Sequence, residues 1–587
     1  MQIAIAICIF LCYNIKNFFS GDIMSFKNQV YNLMKDWCDE LLKTQLSLPD
    51  PLLDGAILCP GCAVVHGRCA DMVLPLVLLY KETGDEHYLT AAKKLIDWTE
   101  YNLLSEKDDY RNDLANRWKG TNIFTCLMLG ETLHRFGDIL DKETFDKWDN
   151  IFRRRAAASI GWCEAAGPHI NYNAGAAAMF AFAYNYTGEQ KFLDNALKQE
   201  AFCREHFDNE GLFFGEGKPL DGTTAKGCHF IDMGYNLEES IPLLVLHSIW
   251  LKDNEKIKFY TDRAIDHLGF LLPDGAIDNS WGTRQNKWTY WGSRTSDGMH
   301  EGFVYLAKEN PVIAKAVRRN IELLEKCTVD GRLYGGLMYH SANEPACIHH
   351  AFDKVKSLAV MYLEMGDEFD ACESALLPRE TEGVKKYQNG YLYTVTKGDF
   401  VATVNACDTH IYTASETGGG AISMLWHKDY GAVMAATLYR FVTTEPMNMQ
   451  IQRHVDDEIC NTARIGRSDT DKTVELAQND YTITAKSEKS GFEIKYDFTN
   501  TAVNISVLSN VDSEYILPIV SQSGDSVEFT DNEVVFKNML SVSFDSDYTI
   551  DPADEMRHFH PVGGFQYKHI TLPVIANKQL NITIKTK

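Results

Sequence analysis

Apolar and polar positions along this chain alternate between two kinds of helical segment. Six apolar stretches come first in each pair: "CADMVLPLVLLYK", "IFTCLMLGETLHR", "AGAAAMFAFAYN", "LEESIPLLVLHSIW", "GMHEGFVYLA" and "HAFDKVKSLAVMYLE". Each runs into a short turn built on Gly, Asp, Glu or Asn, such as "ETGDEHYL", "YTGEQKFL" and "LKDNEKIKF". After most turns comes a charged segment with apolar residues at helical spacing, for example "YLTAAKKLIDWTEYN". An apolar helix is buried on all sides, and an amphipathic one covers it on one face. The pattern predicts six helical hairpins, with the apolar helices inside and the amphipathic ones outside. Six such pairs close into an (α/α)6 toroid; the alternative is an open helical solenoid.

The period changes after residue 378. "NGYLYTVTKGDFVATVNACD" and "YTITAKSEKSGFEIKYDFTN" alternate with period two and are rich in Val, Thr, Ile, Tyr and Phe. That is the signature of antiparallel strands. The expected organisation is α+β and multidomain. Residues 1–24 form an apolar N-terminal segment, 25–378 a toroid and 388–587 an antiparallel β-sandwich, with "LLPRETEGVKKYQ" as the linker.

In a ring of parallel inner helices all the inner N-termini share one rim, and the long connections between hairpins lie there. His66 and Arg68 precede the first inner helix, and Trp118 and Lys119 the second. His169, Asn171, Tyr172 and Asn173 precede the third; Tyr235, Asn236, Glu238 and Glu239 open the fourth. Before the fifth lies "NSWGTRQNKWTYWGSRTSDG", with Trp281, Arg284, Lys287, Trp288, Tyr290, Trp291 and Arg294. His349 and His350 open the sixth. Aromatic faces are platforms for sugar rings, and Arg binds carboxylates with two parallel donors. Rings and cations on a helical rim point to an acidic sugar, in particular a uronic acid. The plainer reading is that some of these rings pack the loop against the β domain.

Two chemistries fit such a rim. Hydrolysis needs two carboxyl groups across the glycosidic bond. Glu239 and Asp278 are the first candidates and Glu238 the next, with Glu216 and Asp232 also on the rim. β-Elimination needs a group that neutralises the uronate carboxylate and a base for the adjacent proton. His169, Asn171, Tyr172, Tyr290 and Arg294 suit that task. A third reading, a non-catalytic glycan-binding protein, needs the rings but not the ionisable groups.

The net charge of −24 argues against nucleic acid as the partner, since phosphate contacts need a basic face. Fifteen cysteines, an odd number scattered through 587 residues, do not look like a small disulfide framework. A cytoplasmic location with Met24 as the true start is the simpler reading; the alternative is a periplasmic or secreted protein with residues 1–23 as a signal. No cofactor is required by either chemistry. Cys59, Cys62, His66 and Cys69 have zinc-ligand types, but the spacing is tighter than in paired zinc knuckles. A homo-oligomer stays open.

The order of toroid and sandwich resembles polysaccharide lyases of the heparinase and chondroitinase type. The motifs "HGRCAD", "WKGT", "INYN", "FGEGKP", "GYNLEES" and "LYGG" are similar to glycoside hydrolase family 154, from about residue 50 to about residue 570. That resemblance implies an exo-acting β-glucuronidase. With the supply of carboxylates, it makes a glycoside hydrolase releasing uronic acid the first expectation and a polysaccharide lyase the second.

Overall fold

The computed structural model describes residues 25–61, 63–104, 110–112, 114, 119–161, 169–216, 222–282, 301–334, 337, 340, 346, 348–409, 418–435, 464–465, 471–522, 525–550 and 565–587. The helices are α1 (Phe26–Leu42), α2 (Val73–Thr83), α3 (Glu86–Asn102), α4 (Asn122–Phe136), α5 (Lys142–Ser159) and α6 (Asn171–Thr187). They continue with α7 (Gln190–Arg204), α8 (Ile241–Leu251), α9 (Asn254–His267), α10 (Phe303–Ala307), α11 (Pro311–Lys326) and α12 (His349–Glu364). The inner helices are α2, α4, α6, α8, α10 and α12. Five of them are followed directly by their outer partner.

The recurring turn has a physical basis. Gly84 and Gly188 end α2 and α6 in the left-handed conformation, which glycine adopts without strain. Asp85, Asp141 and Asp253 then accept hydrogen bonds from the first free N–H groups of α3, α5 and α9. α6 is buried from Ala174 to Ala183, as a helix surrounded by others must be.

The sixth inner helix takes its outer partner from the other end of the chain. α1 packs on α12 and closes the ring. Its Phe26 ring lies 5.7 Å from Phe369, and the Phe26 N–H donates to Asp370 at 3.3 Å. After α12 the one further α-helix among the described residues is four residues long, Glu368–Ala371. Among the described residues no helix is long and apolar enough to cross a membrane.

The β domain begins at Gly383, not at 388, because the end of the expected linker is already a strand. Gly383–Tyr387 pairs with Leu392–Lys397 in a five-stranded antiparallel sheet that continues through Phe400–Asn405, Ala421–His427 and Gly431–Ala435. An eight-stranded antiparallel sheet and a four-stranded one follow, and all three share one apolar core. The five-stranded sheet faces the toroid. Buried Arg379 donates to Ala402 O at 2.9 Å, and the Trp426 indole N–H donates to Asp274 at 3.0 Å.

Candidate active site

The starts of the inner helices converge, as their polarity requires. What meets there is first a buried lattice of charges. Arg68, 6% exposed, lies in the 3-10 turn that leads into α2. It donates to Asp71 at 3.1 Å and Asp353 at 2.5 Å, and it lies 3.5 Å from Glu239. Lys356 contacts Asp353 at 2.7 Å, and Lys354 pairs with Glu238. Thr125 of α4 donates to Asp71 at 2.6 Å. Arg68 and Lys356 both lie over the Phe124 ring. Burial and the cations Arg68 and Lys356 push the Lys354 ammonium well below its usual pKa; the Glu238 carboxylate opposes this.

Glu238 and Glu239 occupy a π-helical turn, Asn236–Ser240, ahead of Pro242. The wide turn brings both carboxylates inward, and both are buried. Neither is left for the acid–base role expected of it. Glu238 is paired with Lys354, and Glu239 faces Arg68 while accepting from the Asn171 side-chain amide at 2.8 Å. Arg68 is likewise spent on three carboxylates and is not a substrate clamp.

Next to this lattice lies a second group with open chemistry. Residues 169 and 216 form an isolated β-bridge. One Glu216 oxygen accepts from the Asn171 backbone N–H at 2.9 Å, at the start of α6. The other lies 3.7 Å from His169 Nδ1. Glu216 is fully buried, whereas the His169 side chain keeps 19% exposure. A buried carboxylate thus stands behind a part-exposed imidazole. Tyr172, half-buried, packs over Gly120, where a Cβ would come within 2.1 Å of the phenol ring. Thus the second and third inner helices meet at His169, Asn171 and Tyr172.

Other candidates serve the fold. Asp278 is fully buried; it accepts from the Ser280 hydroxyl at 2.7 Å and from Thr403 of the β domain at 2.5 Å, so it joins domains and is not placed as an acid. Trp281 is 2% exposed, with its ring 4.9 Å from Phe270, and so is core and not a sugar platform. Asn173 donates to Gln199 on outer helix α7 at 2.8 Å. Asn236 donates to Phe213 O at 2.7 Å and is fully buried. Its neighbour Tyr235 is 7% exposed and lies in a turn held by Asp232. His66 is 1% exposed and caps the turn that carries Arg68. Lys119 is half-buried just before α4. Trp118, Arg284, Lys287, Trp288, Tyr290, Trp291 and Arg294 lie outside the described residues, as do the side chains of His349 and His350.

Of the zinc candidates, Cys62 also lies outside the described residues. Cys59 and Cys69 are buried thiols, and burial raises the Cys69 pKa. Among the described residues no cluster of His, Cys, Asp and Glu is arranged to hold a metal ion.

Asp71, Glu301, Asp353, Lys354 and Lys356 were not foreseen. The visible signal was "DKVK" inside "HAFDKVKSLAVMYLE". Three charges in a helix assigned to the inside demand partners there.

Comparison with known proteins agrees with the architecture and corrects the family. Residues 34–380 match the model of the ulvan lyase N-terminal domain, and residues 384–489 and 469–587 that of the ulvan lyase C-terminal domain. A broad-specificity ulvan lyase of Formosa agariphila is 32% identical over 552 residues, covering 88% of this chain and 86% of the relative. In fold, the chain is similar to a chondroitin AC lyase of Streptomyces coelicolor A3 solved with chondroitin sulphate. That match has a TM-score of 0.55, 12% identity, and coverage of 97% of this chain and 80% of the other. Heparinase III is similar with a TM-score of 0.52 and 10% identity, covering 88% and 76% of the two chains. These matches overturn the expected membership of glycoside hydrolase family 154 and, with it, the hydrolase and β-glucuronidase reading. The chain is an enzyme, and it belongs to the ulvan lyase family.

Proposed function

We propose that this enzyme is a polysaccharide lyase that cleaves an acidic, uronic-acid-containing polysaccharide by β-elimination, with ulvan as the first substrate to test. The observation that carries the reading is the His169–Glu216 pair beside Asn171 at the start of the third inner helix. Family membership supports it, because the relative from Formosa agariphila is an ulvan lyase.

The chemistry follows from the residues. The uronate carboxyl group sits beside Asn171, at the start of α6. The Asn171 amide oxygen is buried and has no partner among the described residues. It accepts a hydrogen bond from the substrate carboxyl bound in its protonated form, the proton coming from solvent, and the neutral carboxyl makes the neighbouring C–H more acidic. His169 removes that proton, with Glu216 behind it to balance the imidazolium charge. The electron pair forms the ring double bond, the bond to the glycosidic oxygen breaks, and Tyr172 supplies the leaving oxygen with a proton. The aromatic and cationic residues of 283–298 are proposed to seat the neighbouring sugars.

The test is product analysis on ulvan and on a neutral polysaccharide. A lyase gives a rise in ultraviolet absorbance from the conjugated, unsaturated uronate, on the acidic polymer alone. His169→Ala should lower turnover at least about 100-fold, the lower end for a lost general base, with little change in thermal unfolding. Saturated products, or full activity in His169→Ala, refute the assignment.

A further inference from the structure

The loop from Gly222 to Phe230 leaves the rim beside Glu216 and clasps the β domain. The Thr224 hydroxyl and the Lys226 backbone N–H both donate to the Asp408 carboxylate. The Lys226 ammonium donates to Ala406 O at 2.8 Å and to Val474 O at 2.5 Å, and lies 4.3 Å from the Tyr391 ring centre. The His229 N–H donates to Gln388 Oε1 at 2.7 Å. Inside this clasp a cysteine from each domain meets the other. Cys228 and Cys407 are buried free thiols, and the two interact with each other. Cys228 Sγ lies 3.9 Å from Gln388 O and Cys407 Sγ lies 3.6 Å from Tyr391 O, so one short turn of the β domain holds both.

We propose that Cys228 and Cys407 are a reversible redox pair that forms a disulfide between the toroid and the β domain when the enzyme meets a peroxide. Two interacting thiols held against one turn, at Gln388 O and Tyr391 O, are placed for side-chain rotation to bring them to the sulfur–sulfur bond length of about 2.0 Å. The two are not equivalent. The interaction with Cys407 lowers the Cys228 pKa, while burial raises that of Cys407. Cys228 is therefore the attacking thiolate and Cys407 the resolving thiol. Thr223 and Ala225 of the same loop are exposed, so a local opening admits a small oxidant.

The step balances with hydrogen peroxide. The Cys228 thiolate attacks one peroxide oxygen, the O–O bond breaks, and Cys228 becomes a sulfenic acid as hydroxide leaves. Cys407 then gives up its proton and attacks the Cys228 sulfur, expelling the second oxygen. The two thiols lose two electrons in all, and the peroxide becomes two waters. A dithiol reductant reverses the linkage. The bond would tie residues far apart in sequence, removing chain entropy from the unfolded state. It would also fix a loop flanked by Glu216 on one side and Asp232 on the other.

The experiment uses the full-length protein treated with hydrogen peroxide, denatured in an alkylating agent, digested and mapped by mass spectrometry. The expected result is a Cys228–Cys407 linked peptide two hydrogens lighter than the sum of its parts. The same sample should show a melting temperature several degrees higher. Both signals should vanish with dithiothreitol and be absent in Cys228→Ser and Cys407→Ser. The peptide map of the unaltered protein stands even if a serine variant folds poorly, and Cys228→Ala is a second control. Recovery of either cysteine as an unlinked thiol or sulfinic acid, or linked to a different cysteine, overturns the proposal.

Discussion

Glu301 is 5% exposed and accepts from the Ser357 hydroxyl at 3.3 Å through one oxygen. Its other oxygen has no partner among the described residues. Burial raises its pKa from 4.5 to about 7. An acid with a raised folded pKa binds more protons folded than unfolded between those values, so the fold loses stability as pH rises through that window. The full cost above about pH 7 is roughly 3 kcal/mol. Glu301→Gln should therefore unfold at the same denaturant concentration as the parent at pH 4.5, and be more stable by up to that amount at pH 8. A variant less stable at pH 8 would show that the ionised carboxylate is needed. Glu239 poses the complementary case. Its carboxylate braces Arg68 and receives the Asn171 amide. A glutamine there keeps an acceptor for Asn171 and leaves Arg68 with Asp71 and Asp353. Glu239→Gln should cost about 1–3 kcal/mol of stability and change turnover by less than tenfold. A 100-fold loss of turnover with unchanged unfolding would restore Glu239 to the chemistry.

At the scale of elements, α1 is the piece on which ring closure depends. Trp37 of α1 is 1% exposed, and its indole N–H donates to the Thr328 hydroxyl at 3.0 Å. Trp37→Ala leaves a large cavity and should cost about 3–5 kcal/mol, read as a shift in denaturant midpoint. A shift below 1 kcal/mol would mean that α1 contributes little to holding α12. The hairpins themselves were legible in the sequence because each end is a local signal. Gly84 and Gly188 stop the inner helices, Asp85 and Asp253 start the outer ones, and the buried helices are apolar all round. The role of α1 was not legible, since its contact with α12 joins opposite ends of the chain. The candidate site was legible only as a rim. His169, Asn171 and Tyr172 stayed together because they adjoin one another in sequence. Arg68, Glu239 and Asp353 neutralise one another across three helices, and nothing local to any of them announces the others. Asp278 carried the right chemistry but faces the β domain, a contact that the helical repeat does not encode, and Trp281 packs into the core on Phe270.

For the whole molecule, the question is whether the toroid and the β domain unfold as one unit. Asp278 stands at their boundary. Its carboxylate accepts from Thr403, and it lies 3.9 Å from the Arg379 guanidinium. Arg379 is buried, and burial lowers its pKa, so the nearby negative charge favours the charged form. Phe270 and Tyr387 extend the boundary with rings 4.8 Å apart. Two domains joined by buried charges and rings should show one cooperative calorimetric transition. Asp278→Asn keeps the shape and hydrogen-bonding capacity but leaves Arg379 without its counter-charge. Removing one partner of a buried pair costs about 3–5 kcal/mol; at this separation the lower end is expected. The variant's transition should move down in temperature or split in two as the domains uncouple. Turnover on the acidic polysaccharide, measured well below that transition, should stay within about threefold of the parent, far short of the loss expected when an acid–base group is removed. A variant with an unchanged transition and turnover reduced 100-fold would instead place Asp278 in the chemistry.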